Sequence, residues 1–94
     1  MNEKKLENAV LALCELYDEA HKAQNWESME RIEEAIDALF CSVGRGSLEL
    51  ARFYAKKGNE ARELAEMHYT TYVETVDDEA KDTDEYKEAV KFMN

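Results

Sequence analysis

LENAVLALCELYDEA at residues 6–20 and MERIEEAIDALFCSV at residues 29–43 repeat apolar side chains at intervals of three and four. In the first stretch Leu6, Ala9, Val10, Leu13, Leu16, Tyr17 and Ala20 share one side of a helix that turns once every ~3.6 residues. In the second, Met29, Ile32, Ala35, Ile36, Leu39, Phe40 and Val43 do the same, and acids fill most of the opposite face. The 94 residues include no proline and three glycines, Gly44, Gly46 and Gly58. Proline ends helices and glycine weakens them, so a chain nearly free of both is expected to be helical throughout. The pattern predicts an all-α fold, a compact antiparallel bundle of four to five helices in one domain spanning residues 1–94.

Capping residues divide the chain. The first helix is expected from Asn2 as N-cap to Ala23, and the turn Gln24-Asn25 leads into a second from Trp26 to about Val43. Ser42 to Ser47 reads as a loop, with Ser47 as the N-cap of the next helix. Lys56-Lys57-Gly58 is a helix-ending signal, so the segment 48–77 is expected to break near 57–59, with Asn59 as a fresh cap. A polar link precedes a short last helix, 83–93, capped by Asp82 with Glu85 three residues on. Its Tyr86, Ala89, Val90 and Phe92 are expected to dock on the bundle and cover Tyr69 and Val73. Leu11 falls outside its helix's stripe, beside Glu7 and Glu15, and predicts a contact with a partner or with a second copy of the chain.

Acidic residues outnumber basic ones 22 to 12, a formal net charge of −10. Binding to nucleic acid requires Lys and Arg to displace counterions, so direct nucleic-acid binding is not expected; a basic protein surface is the natural complement. Glu27, Glu30, Glu33, Glu34 and Asp37 crowd the second helix, and like charges at i, i+4 cost a few tenths of a kcal/mol each. These residues, with Leu11, form the candidate partner-binding surface. Residues 45–62 are locally basic through Arg45, Arg52, Lys56, Lys57 and Arg62, which suits pairing with acids of the same chain. Gly44-Arg45-Gly46-Ser47 at a helix start could also present backbone N–H groups to an anion.

No run is long and apolar enough for a membrane span, and the N-terminus lacks the apolar core of a signal peptide. Cys14 and Cys41 would sit ~7 Å apart along an antiparallel hairpin, with Cys41 facing away from the core, which rules out disulfide geometry. Two free thiols suit a reducing compartment, so a cytoplasmic protein is expected. Asp18 and His21 have no second ligand pair to complete a metal site, and neither a metal nor a cofactor is expected.

Arg62-Glu63-Leu64-Ala65-Glu66-Met67-His68 resembles the R-x4–6-H motif of HEPN-fold ribonucleases, small all-helical proteins that pair their motifs across a dimer. The resemblance implies His68 as a general base and Arg62 as a stabiliser of phosphate charge. Against it stand Glu63 and Glu66, which would repel an RNA backbone. The expected function is non-catalytic: a stoichiometric inhibitor or regulator whose carboxylates occupy a basic, nucleic-acid-binding groove. In general character it is similar to the small acidic phage proteins that block restriction or CRISPR nucleases. The alternatives are the ribonuclease and an adaptor subunit of a homodimer.

Overall fold

Asn2 opens the first helix in the computed structural model, which describes residues 2–94. Its side chain accepts the amides of Lys4 and Lys5 at the start of α1 (Glu3–Lys22), satisfying two of the donors that a helix N-terminus leaves free. Gln24 reverses the chain in the left-handed region, at φ 56°. Its N–H donates to the His21 carbonyl, and that of Asn25 to the Ala20 carbonyl, a Schellman closure. Asn25 then caps α2 (Trp26–Phe40) by accepting the Ser28 amide at 3.2 Å.

The second helix ends earlier than its apolar pattern predicts. Cys41 turns left-handed at φ 51°, and the amides of Cys41 and Ser42 donate to the carbonyls of Ala38 and Asp37. This second Schellman closure stops the helix at Phe40, so Val43, expected in the core, stands 76% exposed.

The third helix, α3 (Arg45–Ala55), starts before the expected cap. Ser47 lies inside its first turn, buried, and its hydroxyl donates to Glu33 at 2.8 Å rather than capping. The break expected near 57–59 is present. Gly58 takes φ 93°, which L side chains rarely adopt, and a 3-10 turn at Asn59–Ala61 leads into α4 (Arg62–Thr75). Asn59 opens that turn and does not cap α4. A second 3-10 turn, Asp78–Asp82, precedes α5 (Asp84–Met93). The cap of α5 is Thr83, which accepts the Tyr86 amide at 3.2 Å, one residue beyond the expected Asp82.

Two apolar clusters meet on α3. Leu50 and Tyr54 join Val10, Cys14, Tyr17, Ile36 and Ala65 in the first, uniting α1, α2 and α4. Leu48 and Ala51 join Tyr69, Tyr72 and Ala89 in the second, which seats α5. Each large side chain buried this fully contributes roughly 1.5–3 kcal/mol, so α3, buried on two sides, is the spine of the bundle. On α1 the buried arc runs along Val10, Cys14 and Tyr17, and Leu16 sits on its flank. Leu16, expected in the core, is 51% exposed.

The last helix docks on the bundle through Ala89 and Phe92, as the pattern predicts, and through Met93. Tyr86 and Val90, expected to dock as well, stay partly exposed outside both clusters. Phe92 packs on Tyr69 with ring centres 4.8 Å apart. Arg52 holds Glu88 with two hydrogen bonds of 2.9 and 2.7 Å, and the Tyr69 hydroxyl donates to the same carboxylate at 2.7 Å. The Arg52 hydrogen bonds keep the Glu88 carboxyl below its usual range. Truncating Glu88 to alanine leaves the Tyr69 hydroxyl without its partner and Arg52 with Glu49 alone, at a partly solvated seam, an expected loss of about 1.5 kcal/mol. Urea unfolding measures it, and amide exchange should rise first in α5.

Candidate protein-binding surfaces

The five carboxylates expected on α2 divide into two groups. Glu27, Glu30 and Glu34 face solvent. Glu27 pairs with Arg31 at 2.7 Å, both largely exposed, while Glu30 and Glu34 enter no salt bridge among the described residues. At ~1.5 Å rise per residue the three positions lie ~4.5 and ~6 Å apart along the axis. They form a short exposed row of negative charge.

Glu33 and Asp37 turn toward α3 instead. Glu33 accepts the Ser47 hydroxyl, and Asp37 accepts the amide of Gly44 at 3.3 Å and that of Gly46. Those amides belong to the start of α3, where unpaired N–H groups and the helix dipole favour an anion. The Gly-Arg-Gly-Ser segment therefore does cradle an anion, and the anion is Asp37 of the same chain. The narrower row comprises Glu27, Glu30 and Glu34. A glycine pair seven and nine residues beyond an acid was the available sequence signal.

The basic segment is largely consumed internally. Arg45 pairs with Glu49 at 2.8 Å and lies over the Phe40 ring at 4.4 Å. Arg52 reaches Glu49 and Glu88, and Arg62 pairs with Glu66 at 3.1 Å. With Arg31 on Glu27, every arginine of the chain holds a carboxylate of its own helix or a neighbouring one. No arginine is therefore left over to answer the exposed carboxylates of α2, and the cations outside salt bridges are lysines such as Lys56.

The motif Arg62…His68 is split between two environments. Arg62 stacks on Phe92 at 4.6 Å and donates to the Phe92 carbonyl at 3.1 Å, on the α5 side. His68 is 3% exposed. Its ring stacks parallel on Tyr54 at 5.6 Å and meets the edge of Tyr17 at 5.2 Å. Its Nε2 is buried without a hydrogen-bond partner. Burial, aided by the charge of His21, lowers its pKa to about 4. α4 thus does not bring the two side chains to one solvent-facing cleft, as the ribonuclease resemblance implies.

Both cysteines are free, Cys14 buried and Cys41 exposed. Burial first, and nearby Glu49 next, push the Cys14 thiol up to about 12, so it stays protonated and unreactive. Asp18 is occupied by Lys22 at 3.2 Å and by the Tyr54 hydroxyl at 3.1 Å.

Leu11 is 50% exposed and stands on the lip of a cleft of about 640 Å³ between α1 and α3. Val10, Cys14 and Phe53 line its apolar interior. Glu3 and Glu7 stand on the α1 side, while Arg45, Arg52 and Lys56 stand on the α3 side beside Glu49. With Arg45 and Arg52 paired to Glu49 and Glu88, the charges left unpaired at the cleft are Glu3 and Glu7 on α1 and Lys56 on α3.

No protein-family model matches the chain, and neither a curated protein nor a solved structure is significantly similar to it. No helix among the described residues is long and apolar enough to cross a membrane.

Proposed function

We propose that the protein is a non-catalytic, stoichiometric regulator of the cytoplasm. It docks Glu27, Glu30 and Glu34 of α2 on a basic, nucleic-acid-binding surface of a protein partner. One observation carries the reading: the arginines are all engaged in internal pairs, whereas Glu30 and Glu34 lie unpaired one turn apart on a rigid helix. Like charges at that spacing repel each other, and a cationic surface relieves the repulsion while the row competes for sites that otherwise take phosphates. Such recognition acts mainly through association rate and specificity, and it weakens with salt.

The test uses the wild-type protein and the E30K/E34K double variant as baits in the same lysate. Substitutions at exposed positions change stability by less than ~0.5 kcal/mol, so the variant's circular dichroism should match the wild type. A basic nucleic-acid-handling protein held by the wild type, released by high salt and lost by the variant is the expected result. Added to the purified captured protein, the wild type should displace its nucleic acid and the variant should not. Equal capture of the same proteins by both baits at low salt sinks the proposal.

A further inference from the structure

The α1–α3 cleft sets unpaired acids on α1 opposite one unpaired base, Lys56, on α3, with a half-exposed leucine on the acidic side. Its lining includes none of Glu27, Glu30 and Glu34, so whatever fills it leaves the α2 row free. Among the charged residues lining it, Glu3 and Glu7 on α1 enter no salt bridge among the described residues, and neither does Lys56 on α3. An occupant that satisfies these walls needs an apolar ridge, acidic groups facing α3 and basic groups facing α1. The chain itself has such a surface. The ridge is Leu11, the acids are Glu3 and Glu7 of its own α1 wall, and the free base is Lys56 of its own α3 wall.

A two-fold axis is the operation that sets each wall against its complement, because an isologous interface repeats every contact twice. We propose that two copies of the chain associate about such an axis. Leu11 of each copy enters the α1–α3 cleft of the other, and Glu7 of each faces Lys56 of the other. This pairing answers the acids beside Leu11, which would otherwise repel their counterparts in the second copy. It covers the apolar lining of the cleft, where Leu11 is half-exposed and Phe53 only partly buried. The inference goes beyond the α2 reading and complements it. A dimer carries two α2 rows, and two linked binding surfaces raise apparent affinity when both can engage.

Charge-swap mixing tests the geometry. Light scattering and sedimentation at high micromolar concentration should give about twice the 10.9 kDa chain mass for the wild type. E7K and K56E should each weaken the dimer by about tenfold or more, since each puts like charges at both symmetric contacts. Mixing the two single variants should restore it, because the mixed pair sets opposite charges at both contacts. Pairing within one chain cannot produce that rescue. L11E should give a monomer with unchanged circular dichroism. A monomeric wild type, or a mixture of E7K and K56E no tighter than either alone, overturns the proposal. E30K/E34K should leave the mass unchanged, so failure of the dimer and failure of the α2 reading show in separate measurements.

Discussion

Gly46→Ala should lower stability by about 3 kcal/mol, whereas helix propensity alone predicts a gain of up to ~1 kcal/mol for that change inside a helix. A Cβ at position 46 would lie 2.5 Å from the Glu33 carbonyl oxygen and 2.9 Å from Asp37 Oδ1. The first of these is backbone of α2 and cannot swing aside, so the two helices must separate. Overpacking of this kind costs about 1–3 kcal/mol. Separation also breaks the hydrogen bond from the Gly46 amide to Asp37, a charge-assisted bond worth about 1.5–3 kcal/mol. Asp37→Ala should remove the same anchor without a clash and cost about 2 kcal/mol. Denaturant midpoints with unchanged m-values measure both. A Gly46→Ala protein as stable as the wild type would mean that α2 and α3 do not meet at this glycine. If Asp37→Ala also weakens partner capture, its lost stability is the reason, because its carboxylate faces α3.

The second large effect is acid lability centred on His68. In the unfolded chain this imidazole takes a proton near its ordinary value of 6.5, whereas in the fold it resists protonation down to about 4. A group whose folded pKa is depressed in this way binds more protons unfolded between those values. Stability is therefore intact above about pH 7 and falls as pH drops through 6.5 toward 4, by about 3 kcal/mol in total. Between pH 7 and pH 5 the expected loss is about 2 kcal/mol. Asp18 and Glu88, both held below the usual carboxylate range, add losses in the same direction at lower pH. Relief of the net negative charge near the isoelectric point of about 4.6 opposes them in part. His68→Phe keeps an aromatic ring against Tyr54 and Tyr17 but cannot titrate, and His68→Gln serves where the larger ring does not fit. Urea titrations at pH 7 and pH 5 should show the loss in the wild type and its near absence in both variants. The same loss in all three proteins would place the acid-sensitive group elsewhere.

The elements legible in the sequence are those whose cause is local. Apolar spacing of three and four, with no proline, dictated helices. Asn2 and Asn25 cap α1 and α2 because a side-chain oxygen reaches amides two or three residues away whatever the rest of the chain does. Gly58 broke the third segment for an equally local reason, its positive φ. Docking of α5 on Tyr69 and Val73 was also legible, since hydrophobes left over on a second face of one helix match the stripe of another.

Other features depended on what lay opposite. Asp37 and Glu34 look alike in sequence, three residues apart on an acidic helix; one is held by the start of α3 and the other faces solvent. Ser47 has the chemistry of a cap, but Glu33 is close enough to accept its hydroxyl, and Asp37 already occupies the amides that begin the helix. His68 sits on an apolar stripe that sequence could place only at the core edge. Tyr17 and Tyr54, from α1 and α3, enclose it and set its acid sensitivity. The one-dimensional pattern thus determined which segments coil and roughly where they stop, because those energies are exchanged within a turn. Which carboxylates remain free to meet a partner was decided by contacts between helices, whose energies depend on groups brought together only when the bundle closes.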